Sequence, residues 1–191
     1  MRHPMVMAGV AVMLAFGALP PVPARAQVEI YLVRPMVTAV EKGDLATVQQ
    51  GLLRGESPNQ IDVNRQPLLI VAVSKGFVEI ADALLKGGAL IDGPDRDGRT
   101  PLIRAAERND PEMVQMLLRR NPRVNAQDRQ GVTALMMAAR NGSGEIVKAL
   151  LDKRADPNLA DFTGRTPMAY AREARRGGSV VDILRRAGGK G

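Results

Sequence analysis

Asp95-Arg-Asp-Gly-Arg-Thr-Pro-Leu-Ile-Arg-Ala-Ala106 is followed 33 residues on by Asp128-Arg-Gln-Gly-Val-Thr-Ala-Leu-Met-Met-Ala-Ala139, and again by Asp161-Phe-Thr-Gly-Arg-Thr-Pro-Met-Ala-Tyr-Ala171. Asp62 stands one period upstream, so four aspartates mark a ladder with a 33-residue step. A fixed period of this size predicts a stacked array, each unit burying a face against its neighbours. Within the third unit, Leu102, Ala105 and Ala106 mark one short helix, and Met113, Val114, Leu117 and Leu118 a second. The paired apolar residues recur at Leu84-Leu85, Leu150-Leu151 and Ile183-Leu184. Breakers separate the two helices of each unit: Gly76, Asn109-Asp110-Pro111, Gly142-Ser143-Gly144 and Gly177-Gly178. Thr100, Thr133 and Thr166 are expected to cap first helices, with Pro101 and Pro167 at the first helical position. Asp-x-x-Gly then reads as the tip of a β-hairpin, its aspartate bonding its own turn.

These residues resemble the ankyrin repeat, whose consensus runs Asp-x-x-Gly-x-Thr-Pro-Leu-His-x-Ala-Ala-x-x-Gly, then Val-x-x-Leu-Leu and Gly-Ala-Asp-x-Asn. The resemblance implies an all-α repeat solenoid of helix-turn-helix units joined by β-hairpin loops. About five repeats are expected, near 29–61, 62–94, 95–127, 128–160 and 161–191, the first and last being degenerate caps. The second has drifted, with Arg65 at the turn glycine and Pro67 where threonine is expected. The consensus histidine is absent: Val37, Ile70, Ile103, Met136 and Ala169 take its places. In the family that histidine ties adjacent repeats, so apolar packing is expected to hold these seams instead.

Residues 1–26 read as a cleavable signal peptide. Arg2 and His3 precede the uncharged run Met5–Leu19, and Ala24-Arg25-Ala26 offers small residues before Gln27. The run is shorter than the roughly 20 residues that span a bilayer, although an uncleaved anchor is the alternative. Cleavage would leave residues 27–191 as one repeat domain with a net charge of +5, because Arg2 and Arg25 leave with the leader from a chain of +7. So mild an excess is not the footprint of a nucleic-acid binder. A periplasmic location is expected, with secretion as the alternative, and no integral membrane insertion after cleavage.

Chemistry is poorly supplied. The chain has no cysteine and no tryptophan, and its single histidine, His3, lies in the leader. Thiolate and histidine-based mechanisms are therefore unavailable to the mature chain. No catalytic residue, cofactor site or metal site is expected; a carboxylate hydrolase would need a pair such as Asp97 and Glu107 in one cleft. Asn141-Gly-Ser-Gly144 lacks the lysine of a phosphate loop and reads as an inter-helix turn. Met113, Met116, Met136 and Met137 fall at core spacing.

What the resemblance implies is a non-catalytic protein-interaction module docking a partner through hairpin tips and the first-helix face. Carried onto this chain, the contact residues are Arg96, Asp97, Arg99, Arg108, Arg129, Gln130, Val132, Arg140, Phe162 and Arg165. Arginine dominates this set, so a partner with an acidic patch is expected. Assistance to a periplasmic or stress-defence enzyme is one role by analogy. The alternatives are an inhibitor or immunity protein blocking a toxic enzyme, and binding to an anionic envelope surface.

Overall fold

The computed structural model describes residues 35–174 and 178–190. The expected leader at 1–26, the start of the first repeat at 29–34 and Gly177 lie outside the described residues. Among the described residues ten helices follow in order: α1 (Pro35–Lys42), α2 (Leu45–Leu53), α3 (Leu68–Lys75), α4 (Val78–Lys86), α5 (Pro101–Glu107), α6 (Pro111–Leu118), α7 (Ala134–Asn141), α8 (Gly144–Asp152), α9 (Pro167–Glu173) and α10 (Gly178–Arg186). Odd-numbered first helices stack on one another, and even-numbered second helices form a parallel layer behind them. The array is the expected all-α solenoid.

The two layers differ as their sequences dictate. α3 is apolar from Leu68 to Val73 and buries every one of those residues, since it is packed on several sides. α4 buries only Ile80, Ala81 and Leu84, leaving a solvent face. Met113, Met116, Met136 and Met137 all lie in the core. At the missing-histidine positions Ile70, Ile103 and Met136 are fully buried, so apolar packing fills the seams as expected.

Helix starts follow the capping residues with one exception. The Thr100 hydroxyl accepts from the Ile103 amide (3.4 Å) and the Thr133 hydroxyl from the Met136 amide (3.3 Å). Asp110 serves α6 in the same way, ahead of Pro111. Thr166 does not cap α9; its hydroxyl donates to the Lys190 carbonyl at the end of the stack. The hairpins are also shorter than a paired strand. Each has a rung from the aspartate amide to the carbonyl four residues on, as from Asp95 to Arg99 (3.0 Å); the second hairpin adds a bond from the Leu68 amide to the Gln60 carbonyl (3.0 Å), making an isolated bridge between Ile61 and Pro67.

A second ladder runs through Asn59, Asp92, Asn125 and Asn158, again 33 residues apart. The Asn125 side chain accepts from the Asp156 amide (2.8 Å) and donates to the Arg154 carbonyl (3.3 Å), clasping the next repeat. Asn59 and Asn158 do the same for Gly88-to-Leu90 and Gly188-to-Lys190. Asp92 accepts from the Arg123 amide but, having no N–H, cannot return the second bond.

The drifted second hairpin keeps its shape at a cost. Arg65 holds φ 59°, where Gly98, Gly131 and Gly164 hold 81°, 80° and 85°. Left-handed backbone costs a side-chain-bearing residue roughly 1–2 kcal/mol, partly offset by the unfolded-state freedom of glycine. Arg65→Gly is therefore expected to raise unfolding free energy by about 0.5–1 kcal/mol in urea titration. Gly131→Ala should lose about 2 kcal/mol or more, because a Cβ there would stand 2.7 Å from Phe162.

Candidate partner-binding face

The aspartate ladder places the face. Asp95 Oδ1 accepts from the amides of Asp97 and Arg99, both at 2.9 Å. Asp128 holds Gln130 and Val132 identically, and Asp161 holds Thr163 and Arg165. All four ladder aspartates are buried. With Oδ1 spent on the turn, a buried Oδ2 needs its own partner. Position nine beyond each aspartate faces that oxygen in the third and fifth repeats. Arg104 Nε donates to Asp95 at 2.6 Å, and the Tyr170 hydroxyl to Asp161 at 2.7 Å. In the fourth repeat this position is Met137, and Asp128 instead draws Arg99 from the third repeat (3.2 Å). In the second it is Val71, and Asp62 Oδ2 has only a long contact with Asn64 (3.5 Å).

This demand divides the expected contact residues. Arg99, with its side chain only 22% exposed, also binds Glu107 at 2.7 Å. Arg165 serves Asp161 and the Tyr170 hydroxyl, with its guanidinium 4.6 Å above the Tyr170 ring. Arg108 is exposed but donates to the Ser74 carbonyl at 2.6 Å, tying the third repeat to the second. Val132, expected on the surface, is instead buried in the core cluster: its amide is held just as those of Arg99 and Arg165 are, but its side chain carries no charge to direct toward a carboxylate or water. Asp97 and Gln130 are exposed, and their carbonyls accept from the amides of Arg129 and Phe162, both at 3.0 Å. Arg96, Arg129 and Arg140 are exposed with no ion pair among the described residues. Phe162 is 71% exposed.

The sequence did not reveal Arg104 and Tyr170 as the buried partners of the ladder. Position nine was the available signal, since Arg104 and Tyr170 both stand nine residues beyond a ladder aspartate. Asp97 and Glu107 both accept from Arg104, at 3.2 and 2.9 Å, so a cation bridges the pair that a carboxylate hydrolase would need. Among the described residues no group of three or more His, Cys, Asp or Glu is placed to hold a metal, and no helix is long and apolar enough to cross a membrane.

The Asp161–Tyr170 bond bears on the ionisation of both groups. Burial pushes the Asp161 carboxyl up, but hydrogen bonds from Thr163, the Arg165 amide and Tyr170 outweigh it and hold the group well below the carboxylate range. Burial and the Asp161 charge push the Tyr170 hydroxyl up to about 12. A lowered acid stabilises the fold above its ordinary value and loses that contribution as pH falls through the folded value. A raised phenol stabilises it below its ordinary 10.0 and loses that contribution as pH climbs through about 12. Tyr170→Phe is expected to cost about 1–2 kcal/mol at neutral pH. In denaturation series the gap from the native protein should narrow between pH 10.0 and about 12. A gap constant over that range would contradict the bond.

A family model described as ankyrin repeats (3 copies) matches residues 36–128 and 106–189. A search of curated proteins returns no match. The match spans the helical array, and the ladder, the paired helices and the short hairpins agree with it; the chain belongs to the ankyrin-repeat family.

Proposed function

We propose that this protein is a non-catalytic, exported interaction module that docks a partner protein in the periplasm through its hairpin tips. Ankyrin repeats are general protein-interaction modules, and the tip row supports that use here. Val63, Arg96, Arg129 and Phe162 recur at the residue after each ladder aspartate, and all four are exposed. The aspartate behind each fixes the turn, so docking orders little backbone. Arginine and aromatic side chains are the residue types that concentrate binding energy at interface centres. An acidic partner surface fits Arg96, Arg129 and Arg140, which alone among the arginines of the expected contact set have neither an ion pair nor a side-chain hydrogen bond among the described residues. The basic start, uncharged run and Ala24-Arg25-Ala26 of the leader support export, and assistance to an envelope enzyme is the role this location favours.

The test reverses charge without touching the fold. Arg99 is unsuitable, since its loss would strip Asp128 and Glu107 of their cation. Arg96→Glu with Arg129→Glu changes two unpaired side chains. Recovery of partners from a periplasmic extract should fall about tenfold or more, given roughly 2 kcal/mol for an interface centre, with an unaltered helical spectrum. Equal recovery by both proteins would overturn the reading.

A further inference from the structure

Asn141 is the one asparagine of the chain that precedes a glycine. Such a step can react with itself, because the glycine nitrogen has no neighbouring Cβ to shield it from the asparagine side chain. The Gly142 nitrogen attacks Asn141 Cγ, giving its proton to a base in the solvent. The new N–Cγ bond forms as the Cγ–Nδ2 bond breaks, and Nδ2 takes up a proton and leaves as ammonia. Water then opens the five-membered imide at either carbonyl, leaving aspartate or isoaspartate. Water and a solvent base are the only co-reactants, and Asn141 is exposed to both.

The fold engages both reacting groups. Asn141 closes α7, and Gly142 caps it at φ 69° with its N–H donated to the Ala138 and Ala139 carbonyls. The departing Nδ2 donates to the Ala106 and Glu107 carbonyls, both at 3.0 Å. Those carbonyls end α5, whose last turn has no further helix amides to answer it. The tie has a counterpart one repeat earlier, where Arg108 donates to the Ser74 carbonyl; both residues stand 33 positions before Asn141 and Glu107. A carboxylate at 141 could not replace the amide. It has no N–H to donate, and it would set negative charge against two carbonyl oxygens at the C-terminal end of a helix. We propose that Asn141-Gly142 is a latent self-modification site guarded by the seam between the third and fourth repeats. While Nδ2 and the Gly142 N–H stay bonded the pair is inert. Opening of that seam exposes it to a deamidation that leaves the seam permanently weaker.

The test holds the purified chain in mildly alkaline buffer, folded in one sample and unfolded by urea in another. Mass spectrometry of proteolytic peptides then follows Asn141. Modification is expected to be about tenfold slower or more in the folded chain. Asn125→Ala removes the clasp on Asp156 and Arg154, which crosses the same seam away from Asn141. It should speed the folded-state reaction about fivefold and leave the unfolded-state rate unchanged. Equal rates in the folded and unfolded native chain would overturn the guard. Protection that Asn125→Ala does not alter would assign it to the α7 cap and overturn the role of the seam. Asn141→Asp should melt about 3–6 °C below the native chain, and an unchanged midpoint would overturn the weakening. The native chain, aged unfolded and then refolded, should show the same drop. Asn141→Gln aged alike should keep its own midpoint, since glutamine would have to close a slower six-membered ring. That pair of ageing measurements decides the matter if Asn141→Asp does not fold.

Discussion

The structure depends on one interaction, repeated in each hairpin: a buried carboxylate oxygen that accepts the backbone amides of its own turn. Asp95, Asp128 and Asp161 each hold two amides with Oδ1. Hydrogen bonds to a charged acceptor contribute roughly 1.5–3 kcal/mol, more than neutral ones. Holding the amides requires burying the charge, and a buried charge left uncompensated is destabilising. The second oxygen therefore demands a partner, and each repeat answers with whatever its sequence places nearby. Arg104 and Tyr170 answer from within their own repeats, whereas Met137 cannot, so Arg99 crosses the seam to Asp128. The free charge along the hairpin tips is what remains after this demand is met.

That ordering explains what was legible in the sequence. The period, the helix pairs, the methionine core and the turn role of the aspartates follow from local pattern, because each is decided within one repeat. The contact residues were read from side-chain type, and type does not say whether an arginine is free. Arg96 and Arg99 look equivalent in sequence, yet one is unpaired and the other bridges Asp128 and Glu107. The difference lies in partners as many as 29 residues away, brought together only by stacking. Val132 was misplaced for a related reason. Its amide is captured just as those of Arg99 and Arg165 are, but its apolar side chain packs into the core cluster where theirs reach carboxylates. Thr166 differs from Thr100 and Thr133 because the chain end at Lys190 offers its hydroxyl a carbonyl instead of a helix amide.

The loss of the family histidine is met by three other devices. Ile70, Ile103 and Met136 bury apolar surface at the seams. The asparagine ladder clasps successive helix ends, and the hairpin tips bond directly, Arg129 to Asp97 and Phe162 to Gln130. Glycine is what permits the tip bonds. A Cβ at Gly98 would stand 3.1 Å from the Arg129 amide nitrogen, and one at Gly131 2.7 Å from that of Phe162. Arg65 carries such a Cβ, and no corresponding bond joins Asn64 to Arg96 among the described residues.

The defects of the second repeat fall at one seam. Asp92 lacks the donor that Asn125 uses, Val71 leaves Asp62 without a charged partner, and Arg65 keeps the tips apart. Arg108 on Ser74, the Arg120–Asp82 pair and Arg123 on Asp92 are the side-chain ties that remain there, and all three lie away from the tips. The tip row is thus fixed from Arg96 onward and untethered between Val63 and Arg96. On the proposed docking along this row, a partner would meet a preformed half at the third to fifth repeats, where little ordering is required. Tight geometric selection therefore belongs to the Arg96, Arg129 and Phe162 side of the face, and the apolar tip at Val63 suits a contact tolerant of position.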